Sequence, residues 1–204
     1  MSRLRKPRSG SLLELVVIVV VALGLALAIQ ALLVKPYRIP SPSMFPTLHV
    51  GQRVLVNRIG ARFNDPSIGD IVVFHPPRGA ESNQCGVAHT PTQPCPQPTP
   101  QRSAQNFIKR VVAGPGDTIA INGGRVTRNG KPQADKFTAP CHPADPSERC
   151  DFHTAIRVPP GHWFMMGDNR GASDDSRFWG PVPKKWIIGG AFATYWPPDR
   201  IGFL

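Results

Sequence analysis

Acidic residues are scarce in this chain: 13 Asp and Glu stand against 24 Lys and Arg, for a formal net charge of +11 over 204 residues. Several other things are missing. No long amphipathic helical pattern occurs after residue 35, which argues against a helical bundle for the bulk of the chain. No Cys-x-x-Cys pair occurs, so the commonest spacing of thiolate zinc ligands is absent. No internal repeat is visible, which argues against a solenoid or propeller. Aromatic residues show no RNA-stacking signature, and nucleic acid is not expected as a partner. No histidine pattern supports a Ser-His-Asp triad: His49 is near Ser43 in sequence, and the other histidines fall mostly in loops. Asp168 and Asp175 could form an acid-base pair, but nothing accompanies them that suggests a sugar cleft.

What is present divides the chain in three. Residues 12–34 are an apolar run, long enough for the roughly 20 residues that a bilayer core requires. Arg3, Arg5, Lys6 and Arg8 precede it in a tail, residues 1–11. By the positive-inside rule the tail stays cytoplasmic and residues 35–204 are exported, giving a single-pass cell-membrane protein. Ala26-x-Ala28 resembles a cleavage site of a secretory signal, but it lies inside the apolar run. Without the tail and Glu14, the exported part keeps about +8, enough to draw it to anionic lipid headgroups, unless the charge is only a general surface property.

The exported part is rich in Gly and Pro, with short β-like runs at 53–57, 70–74, 107–113, 117–121, 162–166 and 191–196. Asn122-Gly123 and Asn129-Gly130 place at least one hairpin within 117–133. The expectation is a mainly antiparallel β domain folded around one core. Residues 76–105, rich in Pro, Gln and Thr, read as a long and partly disordered surface loop, and 139–153 as a second polar loop. Each loop holds two of the four cysteines. In an exported domain these suggest disulfides, and Cys85–Cys95 with Cys141–Cys150 is the simplest of three connectivities. Zinc, with His89, His142 or His153 nearby, is the competitor.

Three segments could carry chemistry. Pro40-Ser41-Pro42-Ser43-Met44-Phe45-Pro46 holds two serines on a proline-stiffened, non-helical stretch just after the apolar run. It reads either as a linker or as a loop that presents a nucleophile. In Phe107–Ala113 the strand period puts Lys109 on one face with Phe107, Val111 and Ala113, and Arg110 on the other. Lys109 either snorkels from the strand or is buried, with a lowered pKa that suits a general base. Gly167-Asp168-Asn169-Arg170-Gly171-Ala172-Ser173-Asp174-Asp175-Ser176-Arg177 is a polar loop after an apolar strand. Its carboxylates could suggest calcium, but the interspersed Arg170 and Arg177 favour ion pairs.

Taken in order, the apolar anchor, Ser41-x-Ser43-Met44-x-Pro46-Thr47-Leu48, Gly69-Asp70-Ile71-Val72, Lys109-Arg110-Val111-Val112-x-Gly114-x-Gly116-Asp117 and Gly167-Asp168-Asn169-Arg170-x-x-Ser173-x-Asp175-Ser176-Arg177 resemble the bacterial type I signal peptidases. These are membrane-bound serine proteases of the S26 type that remove signal peptides. The resemblance implies a β-rich catalytic domain on one transmembrane helix, with exported preproteins and membrane lipid as partners and no cofactor or metal. It implies Ser43 as nucleophile and Lys109 as general base. The Ser41 hydroxyl and the Ser43 N–H would form the oxyanion hole, and Ser173 would orient the lysine. Asp168 would pair with Arg110, and Asp175 with Arg177. The substrate would lie extended between the strand entering Ser41 and the strand bearing Lys109. Ile39, Met44, Phe107 and Ile108 would line shallow pockets that suit an Ala-x-Ala cleavage motif. Two features depart from the family pattern: Pro42 between the serines, and the 76–105 insertion. The alternative reading is a membrane-tethered, non-enzymatic binding domain in which Ser43 and Lys109 are inert.

Overall fold

The apolar run folds as one helix, α1 (Leu12–Leu33), in a computed structural model of the protein that describes residues 12–142, 144 and 149–204. It contains no proline and a single glycine, so nothing interrupts its hydrogen-bond ladder. Its side chains are described through Leu27, and the apolar ones are exposed along that length. Among the described residues, no helix is long and apolar enough to cross a membrane. The basic tail at 1–11 lies outside the described residues.

The remainder is mainly antiparallel β. Strands β1 (Val34–Arg38) and β2 (Arg53–Asn57) flank the serine segment. A single helical turn, α2 (Gly60–Phe63), leads to β3 (Ile71–Phe74), and the long insertion separates β3 from β4 (Phe107–Ala113). There follow β5 (Thr118–Asn122), β6 (Arg125–Arg128), β7 (Lys131–Pro132) and β8 (Phe152–Arg157). Last come β9 (His162–Met166), α3 (Ser176–Trp179), β10 (Val182–Pro183), β11 (Ile187–Trp196) and β12 (Gly202–Phe203). One sheet runs β1-β2-β11-β3-β4-β9-β10, with β12 added to β11; the other runs β7-β6-β5-β8. Both hairpin signals are used. Gly123-Gly124 and Asn129-Gly130 take the positive φ values that two-residue hairpin turns require.

There are two apolar clusters where one core was expected. The strand period explains why: all four residues of β3 are buried, but they face opposite ways. Val72 and Phe74 join the larger cluster with Ile119, Phe152 and Trp179, which ties the two sheets together. Ile71 and Val73 join the smaller one with Ile39, Met44 and Leu48, which underpins the serine segment.

The 76–105 insertion is ordered, contrary to expectation. It buries Ala80 and Cys95 and closes on itself through Arg78 N–H to Gln101 O (2.7 Å) and Ser103 N–H to Pro76 O (2.7 Å). Its many prolines and glycines give shape rather than freedom: a Cβ on Gly86 would lie 2.3 Å from Pro98 O. The Cys85–Cys95 disulfide closes its tip, and Cys141–Cys150 closes the second loop. No cysteine is free, which removes the zinc alternative for them. That second loop is shorter than expected, because Phe152 is buried as the first residue of β8.

Candidate active site

Ser43 sits on a tight turn. Ser41 is extended, Pro42 pre-sets the backbone of a 3-10 turn over Pro42–Met44, and Phe45 N–H closes it on Pro42 O at 2.9 Å. Fully buried Met44 pins the turn into the smaller core. The loop after β9 holds it from the other side. Asn169 donates its backbone N–H to Ser43 O (3.1 Å) and its side-chain amide to Pro42 O (3.3 Å). Only glycine fits at 167, where a Cβ would lie 2.4 Å from Ser43 O and 2.2 Å from Ser173 Oγ.

β4 brings Lys109 to this turn. The side chain is 4% exposed, and its Nζ lies 2.6 Å from Ser43 Oγ. Burial lowers its pKa from 10.5 to about 8, against the opposing pull of the Asp175, Asp174 and Asp168 carboxylates. The lysine is thus ionised at neutral pH but can lose its proton at modest cost. Ser41 Oγ donates to Ser43 Oγ at 3.2 Å.

Two ion pairs brace the surroundings, and both match expectation. Arg110 meets Asp168 in a bidentate pair (Nε–Oδ1 2.8 Å, Nη2–Oδ2 2.6 Å) and stacks over Phe137 at 4.0 Å. Arg177 meets Asp175 the same way (2.8 and 2.9 Å) and also holds Ser173 O at 3.0 Å. Asp175 accepts the Gly167 N–H at 3.0 Å. Burial alone would raise the Asp175 pKa, but Arg177 and these hydrogen bonds outweigh it and hold the carboxyl below its usual value.

Two expected residues behave differently. Ser173 is buried beside Gly167, but among the described residues its Oγ has no hydrogen-bond partner and is not joined to Lys109, whose amine meets Ser43 instead. Met44 lines no substrate surface, because the turn that presents Ser43 directs the next side chain into the core. Three residues were missed. Thr47 donates its hydroxyl to Asp168 Oδ2 at 2.5 Å. Arg170, 2% exposed, reaches Gly167 O (3.1 Å), Gly124 O (2.8 Å) and Asp135 (3.0 Å). Thr47 and Arg170 were visible in the motifs, whereas nothing in the sequence singles out Asp135. His49 approaches the Phe45 ring (centroids 5.1 Å apart), and among the described residues no hydrogen bond joins it to Ser43.

A groove of about 700 Å³ leads to Ser43 and Lys109. Tyr37 to Pro40 form one wall and Gln105 to Ile108 the other, so Ile39, Phe107 and Ile108 line it. Strand edges are open on both walls. Among the described residues, β1 pairs only with β2, and β9 pairs with β4 only from Arg110 onward. An extended peptide could add to such edges through its main chain.

The profile described as "Signal peptidase, peptidase S26" matches residues 12–196. A "Probable signal peptidase I-1" of Synechocystis is 37% identical over 94% of this chain and 86% of its own length. A "Signal peptidase I" of Leptolyngbya laminosa is 36% identical over 98% and 87%. A "Probable thylakoidal processing peptidase 2, chloroplastic" of Arabidopsis thaliana is 36% identical over 88% of this chain and 43% of its own length.

Proposed function

The chain belongs to the signal peptidase family, peptidase S26, and from that premise we propose how it cuts. It is a serine peptidase that removes N-terminal signal peptides from preproteins. In the proposed mechanism the neutral Lys109 amine takes the Ser43 hydroxyl proton as Oγ attacks the scissile carbonyl carbon. The Ser43 N–H and the Ser41 hydroxyl receive the developing oxyanion. Lys109 then passes the proton to the leaving amine as the C–N bond breaks, leaving an acyl ester on Ser43. Water, deprotonated by Lys109, hydrolyses that ester and regenerates the enzyme. The observation that carries this reading is the 2.6 Å contact between a buried lysine and a serine at the head of an open-edged groove. Arg110–Asp168 and Arg177–Asp175 hold the two loops in register. Ile39, Phe107 and Ile108 offer apolar walls to the small residues of an Ala-x-Ala motif. Ser173 orients Lys109 once substrate has drawn the amine off its present contact.

Residues 12–34 anchor the chain in the membrane, with 1–11 cytoplasmic and 35–204 outside against lipid. The uncovered apolar surface of α1 and the basic residues before it support this arrangement. The non-enzymatic alternative has no observation in its favour. Ser43→Ala in the detergent-solubilised full chain should abolish preprotein cleavage and leave the melting temperature nearly unchanged. Cleavage persisting above a tenth of the normal rate would remove Ser43 from the mechanism.

A further inference from the structure

A second cavity, of about 620 Å³, shares no lining residue with the groove. Arg58, Arg62, Arg102, Lys184 and Lys185 converge on it, with His75. They come from the β2–α2 turn, from α2, from the returning arm of the 76–105 insertion and from the turn before β11, so the fold gathers them rather than a run of sequence. Like charges brought together repel unless an anion sits among them. Among the described residues, only Lys184 has an ion-pair partner here, Asp65 at 2.5 Å. Ile187 and Ile188 add an apolar side to the lining.

The location narrows the choice of anion. Arg58 donates its N–H to Leu33 O at 3.0 Å, so the rim of the cavity touches the last residue of α1. Phe63, next to Arg62 on α2, is 80% exposed. A cationic cavity, an apolar wall and an exposed aromatic at the end of an anchoring helix suit the depth of lipid headgroups. We propose that this cavity binds the phosphate of an anionic membrane lipid and so fixes how the catalytic domain lies on the bilayer. The proposal rests on α1 being the membrane anchor.

The test uses the full chain in a neutral detergent, titrated with phosphatidylglycerol, phosphatidylcholine or inorganic phosphate and read by native mass spectrometry. Phosphatidylglycerol should bind at least tenfold tighter than phosphatidylcholine, and inorganic phosphate should not displace it. Each basic residue near an anionic surface contributes about a fivefold gain in binding, so Arg58→Gln/Arg62→Gln/Lys185→Gln should weaken it at least tenfold. Arg125→Gln/Lys131→Gln/Lys136→Gln makes the same change in net charge elsewhere and should leave binding intact. Undiminished cleavage of a short peptide in detergent verifies that the triple variant is folded. If it is not, the single exposed substitution Lys185→Glu should shift binding in the same direction. Equal losses in both triple variants, no preference for the anionic lipid, or displacement by phosphate at similar concentration would overturn the proposal. Alkaline extraction of the wild-type chain from membranes tests the anchor separately, because binding in detergent does not depend on it.

Discussion

Replacing Lys109 with methionine should destroy activity and raise stability at neutral pH. Methionine nearly matches the volume of lysine and carries no charge. The argument begins with burial, which lowers the Lys109 pKa from 10.5 to about 8. A folded-state pKa below the unfolded value means that the folded protein binds fewer protons between those two values. Wild-type stability must therefore rise with pH across that window, by about 1.4 kcal/mol per unit. Below it, where lysine is charged in both states, the folded protein carries a penalty of roughly 3 kcal/mol. Methionine removes that penalty and forfeits the contact with Ser43, worth about 1 kcal/mol. The net gain of about 2 kcal/mol corresponds to a melting temperature roughly 4–8 °C higher at pH 7 for a chain of this size. By pH 10.5 the wild-type lysine is neutral when folded, so the advantage should vanish or reverse. Scanning calorimetry of both detergent-solubilised proteins between pH 7 and 10.5 measures the difference. A variant less stable than wild type by the same margin at both ends would refute the idea that Lys109 bears a desolvation cost.

Cleavage should climb with pH through about 8, because only the neutral amine can accept the serine proton; kcat/KM on a peptide substrate reads this directly. Asp174→Asn removes one carboxylate that holds the proton on Lys109, so the midpoint of that profile should move to lower pH, and an unmoved midpoint would count against the electrostatic account. Gly167→Ala should cost both activity and stability, since its Cβ would collide with Ser43 O and Ser173 Oγ; a fully active variant would mean that the two loops can part without consequence. Asp175→Asn leaves the Arg177 charge without its partner in a buried site and should destabilise the protein by about 3–5 kcal/mol, visible as a large fall in melting temperature.

Much of this arrangement was legible in the residues because it rests on local rules. The strand period put Lys109 and Arg110 on opposite faces of β4. One reaches Ser43 and the other Asp168. Paired apolar runs and two glycine turns marked the sheets. What escaped depends on distance along the chain. Asp135 meets Arg170 across 35 residues, and no spacing rule links a lone aspartate to an arginine that far away. The insertion at 76–105 misled for a related reason. Its composition predicts disorder when judged by local propensity. Its order instead comes from partners elsewhere: Cys95 N–H donates to Arg177 O at 2.9 Å, and Asn83 reaches Asp174 at 2.7 Å. The second contact falls on the loop that carries Ser173 and Asp175, and the first on α3, which follows that loop directly. The insertion therefore buttresses the polar frame around Lys109 from outside. Its disulfide closes the stretch between those two contacts and limits how far they can separate. Proline and glycine in such a segment lower the entropy lost on ordering or allow close approach. They cannot by themselves report whether a docking surface exists for it, and here that surface is built from residues about 90 positions later in the chain.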